Sequence, residues 1–116
     1  MKYSLIILLF FISISHSFSQ NLKVKNIHYR IIDQRIEIFY DLPQNADTID
    51  ISIVFKKNSE KNFKYYPKFV SGDIGKGIFS GKNHKIIWQV ENEPANVFTG
   101  SEFYFKVYAV KTPKKI

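Results

Sequence analysis

The chain has 116 residues, 45% of them apolar and 16% aromatic, which is enough for one domain with a core of its own. It contains no cysteine, so disulfides, thiolate zinc sites and thiol catalysis are excluded. Its net charge of +7 would suit a polyanion, but the lysines are scattered among apolar strand residues rather than gathered, so nucleic acid is not an expected partner.

Residues 1–19 read as an export signal. Lys2 supplies a positive start, residues 5–11 form an unbroken apolar run, and the small residues Ser17 and Ser19 precede a cleavage point before Gln20. The apolar run is about half the roughly 20 residues needed to span a bilayer, which favours a cleaved leader over an anchor. Without cysteine at the site, a lipid anchor is not expected. The protein is therefore expected to be exported, to the periplasm, outer surface or medium, with no stable membrane span after cleavage. Removal of 19 residues from 116 leaves 97, and loss of Lys2 takes the charge from +7 to +6. Residues 20–116 then form a single domain.

The rest reads as strands. Residues 24–32 and 36–42 are separated by Asp33 and Gln34. In the second run Ile36, Ile38, Tyr40 and Leu42 alternate with Arg35, Glu37, Phe39 and Asp41, the period of a half-buried strand. The first run changes parity between Val24 and Ile27, which predicts a bulge near Lys25 and Asn26. A polar connection from Pro43 leads to the cleanest alternation in the chain: Ile49, Ile51, Ile53 and Phe55 on one side, Asp50, Ser52, Val54 and Lys56 on the other. A turn at 58–62 precedes a short strand, 63–66, stopped by Pro67. Residues 71–81 hold Gly72, Gly75, Gly77 and Gly81, and suit a compact crossing between two sheets. Residues 85–90 place Ile86, Trp88 and Val90 inward. After a polar connection, 91–100, a last strand, 102–110, places Phe103, Phe105, Val107 and Ala109 inward. Several short strands in about 100 residues, with no helical stripe, predict a β-sandwich.

The run Ser71-Gly72-Asp73-Ile74-Gly75-Lys76-Gly77-Ile78, followed by Gly81 and Ile86-Ile87-Trp88, resembles small bacterial exported modules with an Ig-like or fibronectin type III-like sandwich. The stretch ending Tyr40-Asp41-Leu42 looks like that module's second strand, and residues 103–109 look like its closing strand. The resemblance implies an all-β sandwich of six or seven antiparallel strands. It implies a spacer or docking role and supplies no catalytic residues. A fibronectin-type module would add a strand after Ala109, for which only residues 110–116 are at hand.

The glycine passage lacks the Gly-Lys-Ser/Thr ending and following helix of a phosphate loop. Asp73 is the one carboxylate between Ser71 and Gly81, too few for a calcium loop, and it is expected to cap a turn. His28 and His84 lie in or at the start of strands, outside any nucleophile–base motif. Asp47 and Asp50 read as capping or solvated, and Glu91 and Glu93 as a polar loop. No catalytic residue, metal site or cofactor is therefore expected. Phe39, Val54, Ile87, Tyr104 and Tyr108 fall on the parity opposite the core, and Tyr65 and Tyr66 could extend them. These seven are the candidate interaction surface. The expected function is non-catalytic binding of an envelope or surface protein, or alternatively of a glycan stacked on Tyr65, Tyr66, Tyr104 and Tyr108.

Overall fold

The computed structural model of the protein describes residues 21–112; the expected leader, its expected cleavage point before Gln20 and residues 113–116 lie outside them. Nine strands stand in place of the six or seven expected: β1 (Asn21–Leu22), β2 (Lys25–Ile32), β3 (Arg35–Asp41), β4 (Ile49–Lys57), β5 (Glu60–Tyr65), β6 (Val70–Gly72), β7 (Gly75–Gly77), β8 (His84–Gln89) and β9 (Phe103–Lys111). The extra strands are β1, β6 and β7, with two or three residues each, too short to show a period. All pairings are antiparallel. One sheet runs β1-β9-β4-β5, with β7 also on β4; the other runs β2-β3-β8-β6.

The two sheets meet through the alternating residues. Ile36, Ile38 and Tyr40 of β3, with Ile86 and Trp88 of β8, face Ile49, Ile51, Ile53 and Phe55 of β4 and Phe105, Val107 and Ala109 of β9. Trp88 is fully buried. Its ring lies 5.2 Å from Phe55, 5.8 Å from Phe105 and 5.4 Å from Phe98, so one indole bridges both sheets. Phe98 belongs to one of two 3-10 turns, Val90–Asn92 and Ala95–Phe98, within the connection between β8 and β9.

Local chemistry explains the irregular places. The register of β2 on β3 shifts between Lys25 and His28, where Asn26 takes φ 56°, a left-handed conformation that asparagine tolerates. The glycine passage crosses between sheets: β6 pairs with β8, and β7, three residues on, pairs with β4. Gly72 makes that crossing possible. Its φ is +95°, and a Cβ there would sit 2.5 Å from the Lys85 carbonyl oxygen. Gly75 has φ +83° but open space around it. Gly72→Ala is therefore expected to destabilise by about 2 kcal/mol or more, and Gly75→Ala by about 1 kcal/mol. Urea unfolding of the two variants measures the difference; equal costs would mean that backbone crowding at Gly72 plays no part.

Candidate interaction surface

The outer face of β4, β5 and β9 carries a shallow groove. Strand parity builds it: the residues that alternate with the core strip point away from it, and register sets Lys56 opposite Tyr104, Val54 opposite Lys106 and Ser52 opposite Tyr108. Lys64 and Tyr66 approach from β5 and the residue after it. Together with Val110 these residues, Tyr104 excepted, line about 470 Å³. Tyr66 and Tyr108 are exposed at 62% and 44%, and Lys64 and Lys106 are also exposed. Val54 is different. Expected on the surface, it is buried, because it lies on a central strand flanked on both sides and walled by longer side chains. It forms the apolar floor of the groove. Tyr104 is half-buried at the same face.

The remaining candidates lie elsewhere. Phe39 and Ile87 are half-buried on the outer face of the opposite sheet. The Phe39 ring is covered by His28, stacked at 5.0 Å, and by the Arg30 guanidinium at 5.3 Å. Beside it, Glu37 accepts a hydrogen bond from Arg30 Nε (2.8 Å) and lies 3.4 Å from Arg35 Nε. The Arg30 bond holds the Glu37 carboxyl below the usual carboxylate range. The seven residues therefore do not share one surface.

Tyr65 is not an outward residue at all. A register shift between Phe55 and Lys57 sets Tyr65 opposite the core residue Phe55, and its ring lies 6.4 Å from Trp88. Its hydroxyl donates to Glu93 Oε1. Glu93 reads as a polar-loop residue in the sequence, yet it is 8% exposed. Its Oε2 accepts from Trp88 Nε1 (2.7 Å) and from the backbone N–H groups of Lys68 (2.8 Å) and Phe69 (3.3 Å). Burial pushes its carboxyl up, but the hydrogen bonds from Tyr65, Trp88, Lys68 and Phe69 outweigh it and hold the group below its ordinary range. One signal pointed to it: a buried indole N–H needs an acceptor, and Glu93 is five residues away.

Around the glycine crossing, Asp73 does not cap a turn with its carboxylate. Asp73 Oδ2 instead lies 2.8 Å from His84 Nδ1, while His84 Nε2 faces the Ser80 carbonyl oxygen at 3.0 Å. The Tyr40 hydroxyl donates to the Asp73 carbonyl oxygen at 2.5 Å, and its ring stacks on His84 at 5.2 Å. Burial, with the Asp73 charge second, pushes the Tyr40 hydroxyl well above its usual range. An acid, a histidine and a serine thus meet here, but both imidazole nitrogens are committed and the Ser80 hydroxyl donates to Gln44 Oε1 (2.9 Å). The group fastens the crossing loop to β3 and β8; it does not aim a base at a nucleophile.

Among the described residues, no group of three or more His, Asp or Glu stands together as a metal site, and no helix is long and apolar enough to cross a membrane. No protein-family model, curated protein or solved structure matches the chain.

Proposed function

We propose that the protein is a non-catalytic interaction module of the bacterial envelope, exported by its leader, that binds a protein partner through the outer face of β4, β5 and β9. We also assign its sandwich to the Ig-like or fibronectin type III-like type, on the resemblance of residues 71–88 and the sheet order β2-β3-β8-β6 opposite β9-β4-β5. The groove carries the binding reading: exposed Tyr66 and Tyr108 beside Lys64 and Lys106, over an apolar floor at Val54. Exposed tyrosine rings over an apolar floor are typical of binding hot spots, and the lysines around them supply charge. They also favour a partner with acidic groups.

The test is in vivo cross-linking from the native envelope, with a variant carrying Tyr66→Ser, Lys64→Glu and Lys106→Glu. All three positions are exposed, so the fold should persist, as Trp88 emission can verify. Capture by the variant is expected to fall about tenfold or more; undiminished capture would overturn the groove as the interface. A second reading rests on the same exposed rings, which could stack on a sugar as protein-bound glycans do. Quenching of tyrosine fluorescence by acidic oligosaccharides, absent with peptides, would favour it. Export has its own check: mass spectrometry of the secreted protein is expected to find an N-terminus at Gln20, and recovery of an intact membrane-held precursor would contradict it.

A further inference from the structure

Strand β9 is paired with β4 along its whole length, from Phe103 opposite Lys57 to Lys111 opposite Ile49. Its other side is almost bare. Among the described residues only β1 lies there, opposite Val110 and Ala109. After Leu22 the chain leaves β9 and crosses to the other sheet, where Lys25 pairs with Asp41. The edge from Phe103 to Tyr108 therefore has no neighbouring strand among the described residues. Between these residues there is no proline and no inward-pointing charge; the one edge charge, Lys106, points to the outer face.

The opposite sheet is open at the same side. Tyr29 and Ile31 of β2 stand opposite Ile38 and Ile36, so they lie on the core-facing side. Ile36 and Ile38 are 7% and 0% exposed, but Tyr29 and Ile31 are 41% and 67%, with Ile27 beside the bulge at 38%. Tyr29 reaches inward to Phe105, ring to ring at 5.4 Å. A core-facing apolar strip thus lies uncovered next to an unpaired backbone edge.

We propose that this opening accepts an extended strand from another protein, apolar at alternate residues and acidic between them. The backbone edge selects an extended segment, since only that conformation meets its N–H and C=O groups in sequence. Period two then sends every second side chain onto Ile27, Tyr29 and Ile31. The intervening side chains emerge on the outer face beside Tyr104, Lys106 and Tyr108, where Lys56 and Lys64 stand two strands or fewer further on. That face is cationic, so acidic residues complement it. A second copy of the chain fits less well. Antiparallel pairing of β9 with its own mate would bring the two Lys106 side chains directly or diagonally together. The proposal rests on the reading of the domain as a protein-binding module and gives that module its mode of attachment.

The test follows hydrogen exchange of the backbone amides of residues 103–108 in the exported protein. The probe is a synthetic peptide of about eight residues, alternating valine with glutamate or threonine. Exchange of the edge amides is expected to slow about tenfold or more with the peptide. Alternate backbone N-methylation of the peptide should abolish the effect. Lysine in place of glutamate should weaken it about tenfold, as should Tyr29→Ser with Ile31→Thr in the protein, both at exposed positions. Protection that is complete without peptide, protection that rises with protein concentration alone, or equal binding of the N-methylated peptide would each overturn strand addition. Failure here with capture still dependent on Tyr66, Lys64 and Lys106 leaves the interaction-module reading standing.

Discussion

Trp88→Ala is expected to destabilise the fold by about 3–5 kcal/mol, a large share of the ~5–15 kcal/mol available to a domain. Three effects act together. The indole is fully buried, so its removal opens a cavity between the sheets. It touches Phe55, Phe98 and Phe105, which come from β4, a 3-10 turn and β9, so no single element can collapse to fill the space. Its Nε1 also supplies one of the donors to Glu93. Trp88→Phe separates these effects, keeping a ring while deleting the donor, and should cost about 1–2 kcal/mol. Because Trp88 is the only tryptophan, its emission reports the site directly and should move to the red on unfolding. A loss under about 1 kcal/mol for Trp88→Ala in urea would mean that the sheets do not close over the ring.

Glu93→Ala should cost about 3 kcal/mol, although the residue lies in a connection and touches no strand partner in a ladder. Hydrogen bonds to a charged acceptor are worth about 1.5–3 kcal/mol, and removing the carboxylate strands four donors, two of them on the large rings of Trp88 and Tyr65. The same site makes stability depend on pH. The Glu93 carboxyl titrates lower in the folded protein than in the unfolded chain. Its contribution is therefore complete above the unfolded pKa, about 4.3, and is lost as pH falls through the lower, folded value. Glu37 and Asp41 are displaced in the same direction, by the Arg30 hydrogen bond and by the Asn26 hydrogen bond respectively. Acid unfolding should thus be steep below about pH 4. Glu93→Gln, which keeps an acceptor but not the charge, should flatten that slope while costing less than alanine. A thermal midpoint that varies with pH identically in wild type and Glu93→Gln would remove Glu93 from the account.

How legible these features were depended on scale. The core of β3, β4, β8 and β9 follows from alternation alone: Ile36, Ile38 and Tyr40, Ile49 to Phe55, Ile86 and Trp88, and Phe105 to Ala109 all face inward as their parity requires. The bulge near Asn26 was equally readable, as a change of parity along one run. Residues whose surroundings come from distant segments were not. Val54 has outward parity, yet its burial comes from lying mid-sheet between neighbouring strands, which no local pattern records. Tyr65 was misplaced because the register shift opposite Phe55 and Lys57 decides which side of β5 faces the core. Lys57 follows Phe55 on the inward parity of β4 and is 2% exposed, with its ammonium 4.0 Å from the centre of the Phe63 ring and 3.6 Å from Glu60. Of the seven surface candidates, Val54, Tyr66, Tyr104 and Tyr108 share the face of the groove. They do so because three strands far apart in sequence bring them there, and the chain alone offers no measure of that proximity.

The placement of β9 bears on when this protein can fold. The strand that flanks β4 along its full length is the last of the nine, and it brings Phe105, Val107 and Ala109 to the core. A chain still emerging from the ribosome has β2, β3 and β4 long before it has β9, and lacks one wall of its interior until that strand has followed. Pairings between such distant segments form late and slowly. Until β9 arrives, the apolar inner faces of β3 and β4 lack that cover, the kind of open state in which strands are exposed to aggregation.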